Sequence, residues 1–281
     1  MATGIAGSFW RRLRRNPGGV FGLLVLGLLV GTAALADWIA PYAPTRMGAG
    51  HRLTPPSLAH WFGTDEFGRD VLSRVIYGSR LTLLVGAIAV GISLVAGLAV
   101  GLTAAYCGGW TERLLMRASD VLFSFTETLI ALSCVAVLGP SLANAMLAVG
   151  LAGIPFYART CYGTALVECG KPYFEALVSA GAGHLRLILL HLLPNVLPTM
   201  SVVATLGLSG AVLAAAGLSF LGLGAQPPAA EWGAMLSSAR ELINRAPWLM
   251  LFPGGAIALT VLGFNLLGDA IREAIGGPGR L

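Results

Sequence analysis

The chain has 281 residues, of which 56% are hydrophobic and only 11% charged, and its mean hydropathy is +0.78. Soluble domains carry about 25% charged residues, so a water-soluble globular protein is excluded. The net charge of +5 does not point to nucleic acid, because its densest cluster (Arg11, Arg12, Arg14 and Arg15) directly precedes an apolar run.

That cluster is read as a cytoplasmic anchor. A signal peptide has the same order of charge and apolar run, but this run is long and further spans follow it. Charge-free runs occupy 16–36, 81–111, 128–158, 187–230 (with only His191) and 246–268. Each reaches or exceeds the roughly 20 residues that cross a bilayer core. In lipid the backbone must satisfy its own hydrogen bonds, and the runs are too long for barrel strands, so they are helices. Gly139-Pro140 splits the third run with a tight turn. The expected fold is an all-α membrane protein with six transmembrane helices at about 18–38, 81–106, 118–138, 141–160, 194–218 and 247–271. Placing the N-terminus inside puts eleven basic residues on inner segments and seven on outer ones. The expected topology is N-in, C-in.

Residues 39–78 form the longest polar region. Its front half is rich in proline and turn formers and reads as an extended outer loop. Its back half reads as an interfacial helix capped by Asp65, with Phe67, Val71, Leu72, Val75 and Ile76 at helical spacing. The charges Asp65, Arg69 and Asp70 fit either a solute-facing outer rim or a solvated face with internal ion pairs. In the second span, Gly97 and Gly101 make a small-xxx-small step suited to a helix–helix contact. Glu112 in the following loop is expected to pair with Arg113 or lie near Arg117 and fix the turn.

Asp120 and Glu127 lie at or within the third span, where an ionisable residue is a functional hypothesis. Lining a pathway or gate is one reading; pairing with another span or shallow placement is the other. The inner segment 159–193 joins the fourth and fifth spans, and residues 173–195 are a polar, amphipathic interruption between apolar runs. Lys171-Pro172 suits a helix start, and Glu175 then sits where a carboxylate favours the positive end of the helix dipole. Ala176 follows, and Gly181, Ala182 and Gly183 permit a sharp turn and close approach of another surface. Pro194 and Pro198 bend or restart the next helix. The segment reads as a short helix that docks a partner, or as a plain re-entry loop. Further on, Gly222, Gly224, Pro227 and Pro228 force a turn. Glu231 to Ile243 fits a short outer helix, with Trp232 and Trp248 as interface anchors; Glu231 and Trp232 join the outer rim. Asp269 is expected to pair near Arg272.

Nothing in the chain resembles a catalytic motif. A phosphate-binding GxxxxGK[ST] loop is absent, and the only lysine is Lys171. Cys107, Cys134, Cys161 and Cys169 have no metal-ligand spacing. The chain is not expected to be an enzyme or to carry a cofactor, and a soluble partner or an ion gradient must drive any transport. An ion-coupled secondary carrier or a non-transporting structural membrane protein would fit the same composition.

The motifs narrow this. HWFGTDEFGRD (60–70) with LSR (72–74), MRASD (116–120), YAR (157–159), GLSFLGLG (217–224), PPAAEWGAM (227–235) and FNLLGD (264–269) resemble, over nearly the whole chain, the second (C-type) permease subunit of bacterial ABC importers of the dipeptide, oligopeptide and nickel family. The resemblance implies a type I permease fold in the bacterial inner membrane. A peripheral first helix and an extracytoplasmic segment would fill 1–79, a five-helix transport core 80–273, and a tail 274–281. Glu175, Ala176, Gly181, Leu193 and Pro194 match the family's coupling loop, which would seat in an ATPase subunit. Implied partners are a homologous second permease, two ATPase subunits that hold ATP and Mg2+, and an extracytoplasmic solute-binding protein. The sequence departs from the family pattern at Tyr162, at Leu177, at Thr126, where a proline is often found, and at Ala215. Dipeptides or short oligopeptides are the expected cargo; nickel, a metal chelate or glutathione are the alternatives.

Overall fold

A computed structural model of the chain describes residue 13 and residues 16–276. The basic cluster at 11, 12, 14 and 15 and the residues after 276 lie outside that range. Among the described residues every regular element is a helix, and the one β contact is an isolated bridge between Thr64 and Asp70.

The chain runs through α1 (Pro17–Ala34), a short α2 (Ala36–Ile39), α3 (Val71–Cys107), α4 (Gly109–Phe123), α5 (Glu127–Leu138), α6 (Leu142–Cys169), α7 (Pro172–Ser179), α8 (His184–Phe220), α9 (Trp232–Ala239) and α10 (Trp248–Gly276). Five of these (α1, α3, α6, α8 and α10) are long and apolar enough to cross a membrane. Local chemistry sets several starts. The Asn16, Asp70 and Ser141 side chains accept the backbone N–H of Gly19, Ser73 and Asn144, satisfying donors that a helix start leaves free. Proline occupies the first position of α1 and α7.

The most extensive crossing joins α3 to α6. A Cβ at Gly97 would lie 2.4 Å from Tyr157 Cβ and 2.9 Å from the Ala158 nitrogen, and one at Gly101 would lie 2.6 Å from Ala158 O. The small-residue step is thus used inside the chain, where the backbones approach closely enough for Ser93 Oγ to donate to Gly150 O at 2.6 Å. Tyr157, Cys161, Val149, Leu192 and Met200 fill the main core around this crossing. A second core lies between α1, the start of α3, α9 and α10. α1 is pinned at both ends. Asn16 Nδ2 donates to Glu273 Oε2 at 2.6 Å, and Arg80 reaches the Ala33 and Ala34 carbonyls and Asp37.

Four expectations are corrected. The third span is not one helix over 118–138. α4 and α5 meet at 89°, and α5, with 12 residues, is only about 18 Å long. The break is local: Thr126 takes an extended conformation before α5, and Ser124 Oγ turns back onto Val121 O. It falls at the position where the resembled family often has proline. Secondly, Asp65 does not cap a helix. Asp70 caps α3, so the expected interfacial helix and second span are one unbroken 37-residue helix that crosses the expected 79/80 division. Thirdly, Glu112 bonds neither arginine; it accepts from Tyr162 Oη of α6 at 2.5 Å. Lastly, among the described residues Asp269 makes no ion pair with Arg272, whereas Asn265 nearby accepts from Ser209.

Candidate functional site

One end of the bundle gathers the close of α3, α4, the segment 170–192 and both described termini. Here α7 runs for eight residues and stops in a glycine turn. Gly181 has φ +77°, Gly181 N–H donates to Val178 O and Ala182 N–H to Leu177 O. This is the Schellman pattern, with Ala182 and Leu177 packed on the same core. Gly181→Ala should cost about 1 kcal/mol locally, read as faster amide exchange at 181–183 with an unchanged overall melting temperature.

Only Phe174 of α7 is buried; its ring meets Tyr106 of α3 edge-on with centroids 6.3 Å apart. The Tyr106 hydroxyl and His184 Nδ1 are 2.6 Å apart, holding the far side of the turn. Glu168 at the end of α6 pairs with Lys171 and accepts from Tyr173, whose hydroxyl titrates above its ordinary range through burial and that carboxylate. So anchored, Glu175, Ala176, Gly181, Gly183 and Pro194 are exposed, with Val178 and Leu185 beside them, and Ala182 is half-buried. α8 then widens into a π turn at Leu187–Leu192. Pro194 follows one residue later. Its ring would strike the Leu190 carbonyl in a regular helix, and the wider turn makes room. The Asn195 side chain donates to the His191 carbonyl at 2.7 Å.

The two acids expected near a pathway lie on either side of the α4–α5 break. Asp120 is neutralised by Arg159 at 2.5 Å, both about half-exposed. Glu127, the first residue of α5, is exposed and has no ion pair among the described residues.

The opposite end is built around the elbow 60–74. The expected solvated face is instead buried: Asp65 is 8% exposed, Arg69 6% and Asp70 2%. Asp65 Oδ1 accepts the N–H groups of Phe67 and Arg69 at 2.9 Å each. Its Oδ2 lies 2.5 Å from Arg69 Nε and 3.8 Å from Arg74 Nε. Asp70 bonds His60 at 2.9 Å and Ser73 at 2.7 Å. Arg74 extends to the carbonyls of Pro44, Pro228 and Ala229, stitching three segments together. Glu231 caps α9 by accepting from Gly233 and Ala234; burial pushes its carboxyl up, and those N–H bonds oppose the shift. Trp232 is not an interface anchor. Its indole is buried against Gly78, and its Nε1 donates to Val75 O at 3.0 Å. Sequence reading passed over Tyr106, Phe174 and His184. An isolated tyrosine or histidine carries no spacing signal, and only the crossing of distant segments gives these side chains partners.

Comparison with known proteins agrees with this arrangement. Residues 93–276 match the model of the binding-protein-dependent transport system inner membrane component, and residues 6–56 match that of the N-terminal TM domain of oligopeptide transport permease C. The chain is 43% identical over 273 residues to the di/tripeptide transport system permease protein DppC of Pseudomonas aeruginosa, covering 95% of this chain and 90% of that one. It is 41% identical over 266 residues to the dipeptide transport system permease protein DppC of Alkalihalophilus pseudofirmus, covering 95% and 88%. It is 45% identical over 268 residues to the glutathione transport system permease protein GsiD of Escherichia coli, also covering 95% and 88%. Among solved structures, the inward-facing MetNI methionine ABC transporter shares the fold, with a TM-score of 0.59 at 20% identity over 72% of this chain and 96% of that one. The chain belongs to the binding-protein-dependent transport system inner membrane components, as a multi-pass, C-type permease subunit of an ABC importer.

Proposed function

We propose that this subunit forms half of the translocation pathway for dipeptides or short oligopeptides, driven by two ATPase subunits and fed by an extracytoplasmic solute-binding protein. The second half of the pathway is a homologous permease. The observation that carries the cargo reading is near-full-length similarity to three permeases whose names specify di/tripeptides, dipeptides and glutathione, all peptides. In this reading the bent pair α4–α5 counts as the third of six spans in a type I permease fold, with both termini inside. The excess of basic residues on the same side as α7 supports that orientation. The tail, the peripheral α1 and the extracytoplasmic segment make up residues 1–79, and the transport core follows from residue 80 to 273.

The exposed α7 turn (Glu175, Ala176, Gly181, Ala182, Gly183, with Pro194 behind it) is the contact with the ATPase. A short helix fixed through one buried ring, leading by way of a π turn into the long α8, transmits displacement of its exposed face to the bundle. The complex rebuilt in liposomes from both permeases, two ATPase subunits and the binding protein should take up a labelled dipeptide only with ATP and Mg2+. Glu175→Arg should lower uptake and stimulated ATP hydrolysis at least tenfold while leaving this subunit folded. Wild-type rates in that variant would sink the coupling assignment, and wild-type complex that imports no peptide would sink the cargo assignment.

A further inference from the structure

Between the elbow 60–74 and α9 lies a cavity of about 180 Å³, lined among others by Glu66, Arg69, Arg74, Gln226, Ser237 and Ser238. Its polar walls are unevenly satisfied. The Arg69 side chain is only 7% exposed, yet its single hydrogen-bonded nitrogen is Nε, which faces Asp65. One face of the guanidinium rests 4.6 Å over the Phe67 ring. The terminal N–H groups of Arg69 have no acceptor among the described residues, although a guanidinium carries five donors. Arg74, by contrast, spends its terminal nitrogens on three carbonyls. Asp65 sets one carboxylate against the two guanidinium groups of Arg69 and Arg74.

Glu66 lines the same cavity, and its carboxylate has neither an ion pair nor a hydrogen bond among the described residues. Any Arg69–Glu66 approach exceeds 4.0 Å, so the cavity holds a separated donor-rich cation and a free carboxylate. Glu66 is half-buried, and a ligand bearing both an anion and a cation would match both groups together in charge-assisted contacts.

We propose that this cavity is a binding site for the zwitterionic form of a short peptide, with Arg69 taking the α-carboxylate in a charge-assisted contact and Glu66 the α-ammonium. The proposal rests on the peptide reading above and adds to it a second selectivity point on the permease itself, recognising free termini and not side chains.

The test uses the assembled complex of both permeases and ATPase subunits in nanodiscs, without the binding protein. Saturation-transfer NMR and calorimetry would compare alanyl-alanine with its N-acetylated and C-amidated forms. Wild-type complex should bind alanyl-alanine, and each block should weaken binding at least tenfold. Glu66→Gln should weaken the free dipeptide by a similar factor and make N-acetylation inconsequential; Arg69→Gln should do the same for amidation. Because Arg69→Gln leaves Asp65 short of a partner, Glu66→Gln carries the test independently. Equal binding of free and blocked dipeptides would overturn the proposal, as would a blocking penalty that persists in Glu66→Gln. In a separate arm with the binding protein added, loss of its capture in Arg69→Gln, with no dipeptide binding to wild type, would assign the site to a protein carboxylate and also overturn the proposal. ATP-driven uptake measured alongside separates the two readings: uptake without this binding sinks the cavity site alone, and binding without uptake sinks the transport reading.

Discussion

Gly97→Leu is expected to abolish recovery of folded subunit, with a destabilisation of about 3 kcal/mol or more. A Cβ alone would sit 2.4 Å from Tyr157 Cβ and 2.9 Å from the Ala158 backbone nitrogen. Backbone cannot rotate aside as a flexible side chain can, so α3 and α6 must separate. That separation would also expose Tyr157, Cys161 and the core they fill. Gly91 is the control on the same helix, since a Cβ there meets nothing within 4 Å. Detergent-solubilised yield and melting temperature should fall sharply for Gly97→Leu and stay near wild type for Gly91→Leu. Equal behaviour of the two variants would refute the packing argument.

Asp65→Ala should cost about 3–5 kcal/mol, the range for removing one partner of a buried ionic group. The substitution deletes the acceptor for two backbone N–H groups and leaves Arg69 and Arg74 without their shared counter-charge. Asp37→Ala removes a carboxylate from an ion pair too, but that pair with Arg80 is open to solvent, with its side chains 60% and 37% exposed. Water replaces the lost partner there, so the change in melting temperature should be far smaller. The Arg80 hydrogen bond holds the Asp37 carboxyl below its ordinary range. Whatever stability this pair gives is present at neutral pH and fades as pH falls through that lowered value. A melting temperature for Asp65→Ala no lower than that of Asp37→Ala would show that the elbow is not held by its buried charges.

The positions of the apolar helices were legible because lipid makes a simple demand: about 20 residues without charge and every backbone group bonded within the helix. The turn after α7 was legible for a similar reason, since Gly181 occupies a positive φ that other residues rarely adopt. The α4–α5 break was not. Ser124, Phe125 and Thr126 include neither proline nor glycine, and an apolar run looks the same straight or bent by 89°. Nor could charge alone say whether Asp65, Arg69 and Asp70 faced water. Their partners include backbone N–H groups, and their burial depends on loops up to about 150 residues away that close over Arg74.

The all-α membrane class, the glycine turn beyond Glu175 and, through the motifs, the family could be read from the chain, because each depends on residues close together in it. Tertiary structure alone decided that Gly97 and Gly101 serve the α3–α6 crossing, that Trp232 is a core residue, and that Tyr106 and His184 brace α7. It also decided that Arg69 keeps unused donors facing a cavity beside Glu66. The physical reason is common to all four. A side chain's role follows from the partners left within reach once distant helices have packed, and spacing along the chain does not encode those distances.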